Sequence, residues 1–108
     1  MGNLIITNTP TATAYGSLTG YIKTTYATLV EKFGEPIRYE WADTDGKVRV
    51  EWIITVVTEF DSSVIAIYDW KSSQPIDEIT EWNVGGNIIA ARDVAEFIDA
   101  EFSRKGSF

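Results

Sequence analysis

Residues 47–58, KVRVEWIITVVT, alternate with a period of two, and that period leaves the segment one regular conformation. Val48, Val50, Trp52, Ile54 and Val56 fall on one side of an extended chain, while Lys47, Arg49 and Glu51 begin the other. A helix would scatter these five apolar residues around its axis; a strand aligns them against a core. Just upstream, IRYEWA (37–42) alternates too, with Ile37, Tyr39 and Trp41 together. DTDG (43–46) separates the two segments and is turn chemistry: Asp side chains bond nearby backbone, and Gly46 accepts positive φ. A hairpin is expected. Downstream, SVIAIYDW (63–70) is apolar on both faces at its middle, which predicts a central strand. ITEWNV (79–84) reads as a last strand, stopped by Gly85-Gly86.

Two stretches carry the helical period instead. In TTYATLVEKFGEP, Tyr26, Leu29, Val30 and Phe33 recur at i, i+3, i+4 and i+7. Thr24 or Thr25 caps the start, Gly34 suits a left-handed end and Pro36 forbids continuation. Asn87 opens a second helix expected to run to about Arg104, with Ala91, Val94, Ala95, Ile98 and Phe102 as its apolar face. Arg104 and Lys105 would then complement its negative end. The Thr-rich first twenty residues give a short strand near Leu4–Thr7 and otherwise read as an irregular or flexible segment, punctuated by Pro10, Gly16 and Gly20. The expected class is α+β: an antiparallel sheet of about four to five strands with two helices packed on one face. The 108 residues suffice for one core and not two, so 1–108 reads as a single domain.

Trp41, Trp52, Trp70 and Trp82 each fall in a different expected strand, and Glu40, Glu51, Asp69 and Glu81 each precede one of them. Neighbouring strand residues point to opposite faces. If the indoles turn toward the helices and find partners for their N–H groups, the four carboxylates share the outer face. The opposite choice, with one or two Trp residues outside as contact anchors, is open because a sheet covered on one side leaves the other exposed.

Charge sharpens this picture. Sixteen acidic residues face nine basic ones, for a net −7, and residues 50–101 hold eleven acids against Lys71 and Arg92 alone, a local net of −9. Such a field repels nucleic acid and anionic membranes and attracts basic surfaces, besides keeping a small chain soluble. With no His and no Cys, nucleophile–His pairs, thiolate chemistry and His- or Cys-liganded zinc are excluded. Paired carboxylates remain available, with Asp61, Asp69 and Asp77 the nearest to a set, but they sit at eight-residue intervals on separate segments. DTDG does not complete a calcium loop. No cofactor and no metal site are expected. The start, MGNLIITN, lacks a basic segment and has only a three-residue apolar run, so no signal peptide is expected. Its sixth residue, Ile6, misses the myristoylation pattern, and no run approaches the about 18 apolar residues of a membrane span.

The segments TYATLVEKFGEP, VEWIITV, IAIYDWK and TEWNVGG together resemble a group of small bacteriophage proteins that share a helix ending in FGEP, an IYDWK strand and a W-x-VGG segment. The likeness spans roughly residues 21–86. It implies a phage origin and carries over no activity and no catalytic residues; with no signal peptide expected, the expected place is the host cytoplasm. A looser architectural likeness exists to half-domains of the β-lactamase-inhibitor-protein type, where a helix ending in Gly-x-Pro leads into an antiparallel sheet.

Small acidic phage proteins resemble, as a class, inhibitors of host defence that occupy basic nucleic-acid channels, as anti-CRISPR and anti-restriction proteins do. The leading expectation is therefore a non-enzymatic inhibitor that binds a basic host protein, with no direct nucleic-acid or membrane binding. Glu40, Glu51, Asp69 and Glu81 would make the contacts, with Asp77 and Glu78 at the rim. A second reading is an oligomeric sponge for a cyclic nucleotide, in which Trp70 or Trp82 stacks on the base while Gly85, Gly86 and Arg92 meet phosphate. A third is a virion or accessory structural protein that assembles through its sheet edges as a homo-oligomer.

Overall fold

The computed structural model describes residues 4–12 and 17–106. The described strands are β1 (Ile5–Asn8), β2 (Leu18–Lys23), β3 (Ile37–Arg38), β4 (Val50–Val57), β5 (Ser62–Tyr68), β6 (Glu81–Gly85) and β7 (Glu101–Arg104). They form one open antiparallel sheet in the order β1-β4-β5-β6-β2-β7, and β3 shares with β1 the same edge of β4. The helices are α1 (Tyr26–Phe33), a single-turn α2 (Trp41–Thr44) and α3 (Ile88–Phe97), with a 3₁₀ turn at Ile76–Glu78.

The α+β class is as expected, but the sheet has seven strands and not four to five. Two additions come from segments read otherwise. Leu18–Lys23 begins inside the expected irregular segment 1–20, runs past its end and is an interior strand between β6 and β7; residues 1–3 and 13–16 of that segment lie outside the described residues. The expected helix to Arg104 ends at Phe97, because Asp99 takes a left-handed φ of 55° and the chain returns as β7. Phe102 therefore packs on the core from a strand, and Arg104 ends that strand instead of capping a helix. Gly20 is required where β7 passes. A Cβ there would lie 2.3 Å from the Ser103 carbonyl oxygen and 2.7 Å from the Phe102 ring.

Local chemistry sets the remaining boundaries. The Thr25 hydroxyl accepts from Thr28 N–H at the start of α1, and Gly34, at φ 85°, closes its end by donating to the Val30 carbonyl. The Asn87 side-chain oxygen, Oδ1, accepts from the N–H groups of Ile89 and Ala90 and so caps α3. The stop expected at Gly85-Gly86 falls at Gly86 alone, since Gly85 is still paired as the last residue of β6. Gly86 sits at φ 114°, and a Cβ would stand 2.9 Å from the Val64 carbonyl.

Register decides which face each side chain occupies. Trp52 pairs with Ile67, Ile54 with Ile65 and Ile22 with Trp82, and all six are buried in one core with Leu29 and Phe33 of α1 and Val94 and Ile98 at α3. Trp52 and Trp82 meet edge to face at 5.4 Å, and Tyr26 lies 5.8 Å from Trp52. Both indoles are satisfied: Trp52 Nε1 donates to the Gly34 carbonyl at 2.9 Å, and Trp82 Nε1 to that of Thr24 at 3.1 Å. The alternate residues of the same strands form the helix-free face. No described helix is long and apolar enough to cross a membrane.

Candidate functional site

On the helix-free face, pairing across five strands aligns Ser103, Tyr21, Asn83, Tyr68 and Glu51 in one row. One step along the strands, Lys23 stands between Glu81 and Glu101, 3.8 Å from the latter's carboxylate. In the other direction Ile53 and Ala66 are buried and separate the row from half-buried Thr55 and Val64 farther along the same face. Trp70, 46% exposed, extends it beyond β5 and meets Tyr68 edge to face at 6.3 Å. Lys71, at φ 51°, places its ammonium 5.6 Å from the Trp70 ring centroid.

Tyr39 joins the row from the β3 edge by donating its phenolic O–H to Glu51 Oε1 at 2.5 Å. Burial, together with this bond and the negative charges of Glu51 and Asp43, pushes the Tyr39 phenol up to about 12. Tyr68 is raised as well, chiefly by burial and then by Glu51 and Tyr21. Both phenols therefore stay neutral donors through the physiological range. A raised phenol contributes stability that is complete below the ordinary tyrosine value and is lost as pH climbs from about 10 toward 12. Ultraviolet titration is expected to show Tyr39 ionising at about 12, and Glu51→Gln should move it back toward 10 without reaching it, since burial remains. An unchanged Tyr39 titration in that variant would remove Glu51 from the account.

This face is not the four-carboxylate platform expected from the sequence. Glu51 and Glu81 do share it, behind inward Trp52 and Trp82. Asp69 does not. Ile65 and Ile67 point to the core, so Asp69 has the inward parity and Trp70 the outward one. Asp69 is 2% exposed and paired with Arg49 at 2.8 Å. Glu40 lies outside any strand; it leads into α2, where its N–H donates to Asp43. Trp41 is consequently not a core residue but 76% exposed, lying over Gly46. Asp77 and Glu78 sit in the 3₁₀ turn that packs against α1, on the helix side and not at the rim of the open face.

The nucleotide set is likewise dispersed. Trp82 is fully buried, Trp70 stands at one end of the sheet, and Gly85 and Gly86 are at the other. Arg92, on α3, instead borders a shallow depression beside Phe102 and Arg104. Asp61, Asp69 and Asp77 occupy three separate places, and no three acidic side chains among the described residues lie close enough to hold a metal ion. Sequence reasoning did not single out Tyr21, Tyr39, Tyr68 or Asn83. Only the pairing partners across β2, β6, β5 and β4 reveal that Tyr21, Asn83 and Tyr68 form one row, and only the bond to Glu51 brings Tyr39 to it. No family model, curated protein or solved structure matches this chain.

Proposed function

We propose that this chain is a non-enzymatic binding protein that engages a basic protein surface through the helix-free end of its sheet, in the manner of a phage inhibitor of host defence. The observation that carries the reading is the Tyr21–Asn83–Tyr68–Glu51 row flanked by exposed Trp70. Tyrosine and tryptophan offer large contact area at small entropic cost and concentrate at binding hot spots. Glu51, Glu81 and Glu101 surround them with negative charge that Lys23 and Lys71 offset in part, which favours Lys- and Arg-bearing partners and rapid encounter.

Affinity capture from a bacterial host, followed by calorimetry on the captured protein, tests this. The Tyr68→Ala/Trp70→Ala double variant should weaken that complex by about 10- to 100-fold, while its thermal unfolding shows the domain still folded. Equal affinity for wild type and variant would place the contact elsewhere. Co-expression with CRISPR or restriction systems, scored as plaque efficiency, tests the inhibitory role separately.

A further inference from the structure

We propose that a second surface, the cleft between the β4–β5 turn and the first turn of α3, docks a peptide segment that inserts one leucine- or phenylalanine-sized side chain flanked by Lys or Arg. Buried Val56 and Ala90 are among the residues lining a cavity of about 240 Å³, and Phe60 and Ile89 line it as well. An apolar cavity of about 150 Å³ already accommodates benzene, so one large side chain fits here. Phe60 and Ile89 are 88% and 67% exposed, an apolar pair that a monomer has reason to hide unless it serves contact.

The turn that carries Phe60 is held in place. The Thr58 hydroxyl accepts from the N–H groups of Phe60 and Asp61, and Thr58 N–H donates to the Asp61 carbonyl at 2.8 Å. Presenting an apolar group on a fixed turn reduces the ordering cost of association. The charge of the occupant follows from the lining. Among the described residues Asp61 and Asp93 are its only charged members, and no Lys or Arg lines the cleft. The cap on α3 already uses the N–H groups of Ile89 and Ala90, which leaves little to attract an anion. Negative walls around an apolar hole select a basic, apolar segment.

Fluorescence anisotropy with a fluorescein-labelled peptide carrying one leucine between two pairs of arginines tests the proposal on the full chain. Saturable binding is expected, weakened at least about tenfold by Phe60→Ser/Ile89→Ser and by Asp61→Lys/Asp93→Lys. Thermal unfolding of both variants should match wild type, since these side chains lie at the surface. Absence of saturable binding overturns the proposal. So does equal binding of a peptide with glutamates for the arginines or glycine for the leucine. A concentration-dependent dimer in sedimentation that Phe60→Ser/Ile89→Ser dissolves would overturn it too, by assigning the cleft to a second copy. Tyr68→Ala/Trp70→Ala should leave this binding unchanged, so either surface can fail without the other.

Discussion

Trp52→Ala is expected to lower the free energy of unfolding by about 3–5 kcal/mol, a large part of what holds a domain of this size together. Trp52 is fully buried at the centre of the core, where it touches Trp82 edge to face and Tyr26 at a tilt. Its truncation removes the transfer free energy of an indole and leaves a cavity between α1 and the sheet that rigid strands cannot close. It also removes the Nε1–H donor from the Gly34 carbonyl, an acceptor at the exit of α1. Trp52→Phe separates the two effects. It keeps an aromatic ring against Trp82 and should lose about 1–2 kcal/mol, mostly the hydrogen bond. Urea denaturation followed by circular dichroism gives both values. A loss below about 1 kcal/mol for the alanine variant is inconsistent with a core organised around this pair.

That core was legible in the sequence because β4 alternates cleanly. Val50, Trp52, Ile54 and Val56 could face only one way together, and once β4 is placed its neighbours follow. The outer face was harder to read for an equally physical reason. In VIAIYDW both parities are apolar, so nothing local says whether Ile65-Ile67-Asp69 or Val64-Ala66-Tyr68-Trp70 turns inward. The adjacent Trp makes the second choice attractive; pairing of Ile65 and Ile67 with Ile54 and Trp52 enforces the first. Trp41 shows a different limit. Its alternation with Ile37 and Tyr39 is genuine, yet β3 stops after Arg38 and α2 begins, closed by a left-handed Asp45 and by Gly46 at φ 72°. At the C-terminal end, Phe102 continues the helical spacing of α3 and the strand spacing of β7 equally well. Only Asp99 at positive φ, outside any common helix-stop signal, separates the two.

Asp69→Ala is expected to destabilise the domain by about 3–5 kcal/mol and, beyond that, to abolish the binding proposed for the sheet face. One carboxylate there serves three donors: Oδ1 accepts from the N–H groups of Arg49 and Val50 at 2.8 and 3.0 Å, and Oδ2 from Arg49 Nε at 2.8 Å. Removing it strands two backbone donors, one of them in a fully buried residue, and an arginine whose Nη2 has no partner among the described residues. Asp69→Asn tests the charge alone. Its single oxygen can serve either the backbone pair or Arg49 Nε, and its NH2 then faces the other donor, so it should fall between alanine and wild type. The functional consequence follows from position. Asp69 anchors the end of β5 to the start of β4 while its neighbours Tyr68 and Trp70 face outward beside Glu51. Loss of that anchor frees both aromatic rings from the row, and the ordering they would then require weakens any contact they make. Calorimetry on the captured partner at a temperature where Asp69→Asn remains folded distinguishes the two effects. Reduced affinity in a folded variant supports positioning of the aromatic pair by the buried carboxylate, whereas full affinity would confine Asp69 to stability.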